Sequence, residues 1–306
     1  MSETAVIRTQ GLTKHYGRKV GCEDIDLTVP RGHVFGFLGQ NGAGKSTFVK
    51  MMVGLIEPTS GRAELLGRPL HDFSVRRRIG FLPENFRYQE WLMPVELLAF
   101  HARVLGMAKA DVADEATRVL RDVGLADEAH NKIKSFSKGM QQRLGLACAL
   151  FGRPDVLFLD EPTSALDPIG RRDVRALLAA ERDRGVTVFL NSHMLSEIEM
   201  LCDDVAFIKS GRVVQSGKLA DLLRVRCEVE VGLASPWAGQ LNGHVPGAHV
   251  VAHEATGLLV ELPAEADVPT LVASLADDGA QITSVNLRRR SLEALFLETV
   301  GEDADA

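Results

Sequence analysis

The stretch that decides the fold is HVFGFLGQNGAGKSTFVKMMVGLI, residues 33–56. Its opening, HVFGFLG, is a short apolar run that ends on glycine, which reads as a strand buried on both faces of a parallel sheet. Its end, STFVKMMVGLI, spaces apolar residues at helical intervals. Between them GQNGAGKST (39–47) fits GxxxxGK[ST], in the strand-turn-helix context that gives the motif its meaning. Gly39, Gly42 and Gly44, with Asn41 and Ala43, let successive backbone N–H groups converge on phosphate oxygens. Lys45 reaches the terminal phosphates, and Ser46, followed by Thr47, offers a hydroxyl to Mg²⁺. The motif predicts binding of a nucleoside triphosphate.

Two more buried strands follow at DVLFLDE (155–161) and VTVFLNSH (186–193), with a crossover helix between them carrying Val174, Leu177 and Leu178 on one face. Upstream, residues 12–32 alternate like the strands of a hairpin. Residues 95–129 read as helical, with Val112, Ala116, Val119, Leu120 and Val123 on one face. After about residue 225 the pattern restarts as strand, hairpin with a turn at Thr256–Gly257, helix, strand, helix. The charge changes there too: from Glu228 onward 13 acidic and 3 basic residues give −10, which leaves +4 for the rest of a chain whose net charge is −6. The expected fold class is therefore α/β, a P-loop core with a mainly parallel sheet and an N-terminal antiparallel part (1–225), then a small α+β domain (226–306).

Composition narrows the function. With 306 residues and 45% hydrophobic content the chain buries a large core. No apolar run approaches the ~18 residues of a membrane span, and the amino end lacks a secretion signal, so a cytoplasmic location is expected. Cys22, Cys148, Cys202 and Cys227 are scattered without metal-ligand spacing and read as reduced core residues. A charge of +4 without clustering gives no nucleic-acid surface.

The acidic pair ending VLFLDE sits at the carboxyl edge of a parallel strand, where open α/β sheets bind ligands. Asp160 is placed to hold Mg²⁺ through water, and Glu161 to orient and deprotonate an attacking water. His193 ends its strand at the same edge, near the γ-phosphate. Tyr16, before Gly17 in the hairpin, can stack on adenine or simply pack on the sheet. In KSFSKGMQQR (134–143) Ser137 is a natural N-cap. Lys138, in the first helical turn, opposes the helix dipole unless a phosphate docks there, and an ordinary exposed lysine would also explain it. NFRYQEWLMP (85–94) concentrates Phe86, Tyr88, Trp91, Leu92 and Met93, either as a partner anchor or as core.

Taken in order, these segments resemble the ATP-binding cassette family over residues 5–220. The motifs are Tyr16, GQNGAGKST, GFLPEN (80–85), FSKGMQQR (136–143), VLFLDEPTSALD (156–167) and NSH (191–193). The resemblance implies an ATPase with a helical subdomain at about 85–150, using ATP and Mg²⁺. It implies head-to-tail pairing with a second cassette subunit, identical or not. Ser137, Lys138 and Gly139 would then face a phosphate held by the partner, with Asp167 in the loop beside it. It also implies a groove near Phe86, Tyr88 and Trp91 for a membrane permease, and hence a peripheral place on the inner membrane face. Two positions depart from the family pattern. Phe136-Ser137-Lys138-Gly139-Met140 stands for LSGGQ, keeping the serine and the second glycine. Glu84 replaces a usual glutamine and keeps an oxygen for Mg²⁺. The expected function is the nucleotide-binding subunit of a two-component bacterial exporter. The alternative is a soluble mechanical ATPase, against which stand one copy of each motif and the 92 positions from Lys45 to Ser137, too few for an inserted coiled coil.

Overall fold

The computed structural model describes residues 5–223, 227–237, 245–288 and 291–300. The Cys227 side chain, the first four residues and the acidic end 301–306 lie outside them. The chain divides into two compact units, 1–219 with 296–306 and 220–295. The division thus falls a few residues before 225, and the last residues from Phe296 group with the first unit. Within that unit the Phe296 ring stands 6.2 Å from Phe207, and Thr299 pairs with Gln215 at 3.1 Å.

The first unit begins with a long hairpin, β1 (Ala5–Tyr16) and β2 (Lys19–Pro30), whose tight turn is Gly17–Arg18. Next come β3 (Val34–Leu38), α1 (Lys45–Met52), β4 (Ser60–Leu65), β5 (Arg68–Pro69) and β6 (Ile79–Leu82). The helical part holds α2 (Pro94–Leu105), α3 (Lys109–Asp122) and α4 (Lys138–Leu150). The chain then runs through β7 (Val156–Asp160), α5 (Pro168–Asp183), β8 (Thr187–Asn191), α6 (Leu195–Leu201), β9 (Asp204–Lys209), β10 (Arg212–Lys218) and α7 (Leu219–Leu222).

An antiparallel sheet has the order β2-β1-β4-β5, and a six-stranded sheet the order β10-β9-β3-β8-β7-β6. In the second sheet β3 pairs in parallel with β8 and β9, and β6, β7 and β8 run parallel to each other, so only the β9-β10 edge hairpin is antiparallel. Strands β3, β7 and β8 are buried at every residue, as their unbroken apolar runs predict. Phe189 on β8 lies at the centre of an aromatic cluster, with Phe35, Phe37, Phe48 and Phe158 at centroid distances of 5.6, 5.4, 5.5 and 5.5 Å. Each such pair adds roughly 0.5–1.5 kcal/mol beyond its burial, so the floor beneath α1 is firmly held.

Residues 95–129 are not one helix. Gly106 takes a left-handed conformation (φ 70°) and its N–H closes α2 on Ala102 and Arg103, and α3 ends before Gly124. The expected apolar face of α3 is present in Ala116, Val119 and Leu120, but Glu115 is also buried on it, held by Arg118 at 2.6 Å.

The second unit is a four-stranded antiparallel sheet in the order β12-β13-β11-β14. Its strands are β11 (Cys227–Leu233), β12 (His249–Glu254), β13 (Gly257–Leu262) and β14 (Ile282–Arg288). Helix α8 (Val268–Asp277) buries Leu271 and Leu275 in a core with Val229, Val231, Leu258, Val260 and Leu262. The last described helix is α9 (Leu292–Val300), whose residues from Phe296 belong to the first unit. The β12-β13 turn is Ala255–Thr256, one residue earlier than expected, because Gly257 already pairs with Gly232 and Glu254.

Candidate functional site

Four neighbouring parallel strands deliver their carboxyl ends to one open cleft of about 740 Å³. From β3 comes the loop 39–44, with Asn41, Gly42 and Gly44 on the wall, followed by Lys45, Ser46 and Thr47 of α1. Behind β6 comes Glu84, at the end of β7 Asp160 and then Glu161, and from the end of β8 Asn191 and His193. Tyr16 stands at the mouth with Lys19, Val20 and Gly21.

The loop needs its glycines for two different reasons. A Cβ on Gly39 would sit 2.3 Å from the Ile208 carbonyl, so this residue lets the loop lie against β9. Gly44 has φ 110°, and a Cβ there would meet the Gly21 carbonyl at 2.3 Å. Gly44 is also the N-cap of α1, which no side chain caps. The amino end of α1, with its outward dipole, therefore opens on the cleft. Ala43 is buried, its N–H on the Gln40 carbonyl at 3.1 Å, and the Cys22 thiol donates to the Gly44 carbonyl at 3.3 Å. Burial pushes that thiol up to about 12.

Lys45 is 8% exposed and donates from Nζ to the carbonyls of Gly39 and Gln40 at 2.6 and 3.1 Å. Burial lowers its pKa, while Glu161, Asp160 and Glu84 act in the opposite sense. Asp160 is the complementary group. Burial, then the charge of Glu84, raises its carboxyl to about 6, against the hydrogen bond that Asn191 Nδ2 gives Oδ1 at 2.5 Å. The Asn191 Oδ1 beside it is buried without a partner.

Glu161 is clamped. Its N–H donates to the Asn191 carbonyl at 2.8 Å; its Oε1 accepts from the His193 N–H at 2.8 Å; its Oε2 lies 2.9 Å from His193 Nδ1 and 3.4 Å from Ser192 Oγ. Its own backbone is left-handed, φ 54°, an uncommon state for a residue with a side chain. The His193 side chain is 65% exposed, so the clamp holds one ring nitrogen and leaves the rest of the ring facing the cleft.

Tyr16 is 46% exposed, with Lys14 Nζ 5.5 Å from its ring centre and its ring edge against Gly21. Its position at the mouth suits stacking on a base. Ser137, Lys138, Gly139 and Asp167 are not in this cleft. Ser137 N-caps α4 by accepting from the Met140 N–H at 3.2 Å, and Lys138 is exposed. Asp167 N-caps α5 through the Gly170 N–H at 2.7 Å.

The aromatic run after Glu84 divides. Phe86 rests on Gly145, where a Cβ would come within 2.8 Å of its ring, and meets the Tyr88 ring tilted, with centroids 5.2 Å apart. The Tyr88 hydroxyl bonds the half-buried Cys148 thiol, and burial raises both groups. Both rings are half-buried against α4, part packing and part surface. Trp91 is 69% exposed, as are Phe100 (59%) and Val104 (67%), one turn apart on α2. Lys19, Val20, Gly21 and Asn191 also line the cleft, and of these only Asn191, in the NSH segment, belongs to a motif; Gln142 is a further buried residue that its segment does not single out.

The family model described as ABC transporter matches residues 22–164. The bacitracin transport ATP-binding protein BcrA of Bacillus licheniformis is 41% identical over 69% of this chain and 69% of its own length. The daunorubicin/doxorubicin resistance ATP-binding protein DrrA of Streptomyces peucetius is 33% identical over 99% of this chain and 94% of its own. Among solved structures, an ATP-binding subunit of an ABC transporter is 30% identical with a TM-score of 0.67, covering 72% of this chain and 92% of its own. An ATP-binding cassette solved as a dimer with ADP and Pi, at 24% identity and a TM-score of 0.64, shares the fold.

Proposed function

The chain belongs to the ABC transporter family as an ATP-binding subunit, and from that premise we propose that it hydrolyses ATP in the cleft and so drives a partner membrane exporter. The observation that carries the reading is the clamp on Glu161. A carboxylate held at fixed geometry beside a phosphate loop is a general base awaiting a water, a role worth roughly 10²- to 10⁴-fold in rate.

In this reading the N–H groups of the loop and of α1 receive the β- and γ-phosphates. Lys45 commits two of its three N–H donors to Gly39 and Gln40 and keeps one for phosphate without rebuilding the loop. Tyr16 receives the adenine. The Ser46 hydroxyl, Glu84 and Asp160 form an all-oxygen donor set that fits Mg²⁺, and the raised Asp160 carboxyl marks a place where added positive charge is welcome. Bound there, Mg²⁺ supplies charge neutralisation across the phosphates. Glu161 takes the proton of the attacking water, and His193, anchored by Glu161, presents its ring toward the γ-phosphate.

Ser137, Lys138 and Gly139 lie outside the cleft of their own chain, and in this reading they face a phosphate held by a second cassette subunit, with Asp167 beside it. Trp91, Phe100 and Val104 are offered to the permease, which places the subunit on the inner membrane face. No helix among the described residues is long and apolar enough to cross a membrane itself. The test is Glu161→Gln. Hydrolysis falls at least on the order of 10²-fold while ATP accumulates a stable dimer by size-exclusion chromatography. Undiminished turnover would remove Glu161 from the chemistry.

A further inference from the structure

Glu161 needs more than its side-chain clamp, because its left-handed backbone must also be held. Its carbonyl accepts from the Ser164 N–H at 3.4 Å and Ser164 Oγ at 3.1 Å, both within its own loop, and from Gln142 Nε2 at 3.1 Å. Gln142 is the donor that comes from another element. It lies on the second turn of α4, 6% exposed, five residues after the Ser137 cap. The turn that starts α4 also touches this loop from the far side: a Cβ on Gly139 would meet the Ala165 carbonyl at 3.5 Å and Leu166 at 3.6 Å. Arg143, next along the helix, holds the Val123 carbonyl at 3.0 Å and Asp173 of α5 at 3.2 Å, so α4 is seated firmly among its neighbours.

Resting on the reading of Glu161 as the general base, we propose that Gln142 is a positioning residue for Glu161: its buried amide fixes the left-handed peptide and links the amino end of α4 to the hydrolytic carboxylate of the same chain. A left-handed residue with a side chain costs on the order of 1–3 kcal/mol and persists only where its surroundings over-determine it. Removing the Gln142 donor leaves that carbonyl only the two bonds from Ser164, which moves with the loop, so the 161–162 peptide loosens and the carboxylate shifts with it. A general base displaced by about 1 Å loses about 10²-fold in rate while the phosphate loop, on another strand, is untouched. A shift of α4 when a second subunit's phosphate docks on its amino end would be felt at Glu161 through the same bond.

The experiment compares Gln142→Met, which keeps length and volume but has no donor, and Gln142→Glu, which presents an oxygen to the Glu161 carbonyl. Both are made in the full-length chain, so that one reports if the other does not fold. The expected result is a fall in kcat of roughly 10- to 100-fold with KM for ATP and fluorescent-nucleotide affinity within about twofold of the parent. Hydrogen–deuterium exchange rises in the peptide covering 161–166 and stays constant in the peptide covering 39–47. A kcat within twofold of the parent, an equal loss of nucleotide affinity, or unchanged exchange at 161–166 would overturn the proposal. If the parent chain shows no hydrolysis, the general-base reading falls and the exchange measurement still decides whether Gln142 holds the peptide.

Discussion

Helices α1 and α4 both begin with a lysine, against the sense of the helix dipole, and the structure treats the two lysines in opposite ways. At α1 the cap is Gly44, which fills nothing, and Lys45 is drawn inward onto two carbonyls of its own loop, facing Asp160, Glu161 and Glu84 across the cleft. At α4 the cap is Ser137, whose oxygen already serves Met140, and Lys138 stands in solvent outside the cleft. One helix start is completed within the chain. The other stands outside the cleft, and the proposed second subunit is what would complete it.

The largest test of that contrast exchanges the lysines for alanine. Lys45→Ala removes the one charge-assisted hydrogen bond kept for phosphate, about 1.5–3 kcal/mol, so nucleotide affinity of the monomer falls on the order of 10- to 10²-fold. Lys138→Ala leaves monomer affinity unchanged and lowers only the hydrolysis of the assembled pair. Fluorescent-nucleotide titration at concentrations below dimerisation measures both, and equal losses would erase the distinction.

A smaller effect sharpens the α1 side. With a folded value of about 6 against an ordinary 3.8, Asp160 keeps a proton in the folded chain that the unfolded chain has released between those values. Stability therefore falls as pH rises through that window, and the full penalty stands above it. Asp160→Asn should raise the stability of the nucleotide-free chain at pH 7.5 by about 2–3 kcal/mol, with the gain shrinking toward pH 4, in thermal unfolding. The same variant should lose hydrolysis, because a carboxylate tolerated at this cost is kept for function.

The smallest effect sharpens the α4 side. Ser137→Ala removes an N-cap and costs about 1 kcal/mol in chemical denaturation. Its hydrolysis falls by more than that stability loss explains, since the hydroxyl is also lost to the partner's phosphate. A variant with the stability loss and full activity would reduce Ser137 to a cap.

Much of this was legible in the sequence because β3, β7 and β8 are buried at every residue, so their apolar runs are continuous, the first ending on Gly39 and the other two on polar residues. The Ser137 cap was readable for the same local reason. Where the reading stopped, the deciding partner was distant along the chain. Phe86 turns toward α4 because Gly145 there leaves a hollow that nothing in residues 85–94 announces. Gln142 looks like an exposed polar residue of a helix until the Glu161 carbonyl, 19 positions away, comes to meet it. The break at Gly106 had a local signal, glycine after an apolar turn, which the longer periodicity concealed.

The aromatic cluster around Phe189 has a mechanical consequence. Interiors packed this closely deform little, so the floor under the phosphate loop behaves as an anvil. A nucleotide bound as proposed would therefore act on the segments that leave the sheet edge outside this cluster, the stretch from Glu84 to Met93 and the loop between Glu161 and Asp167, which α4 meets at Gly139.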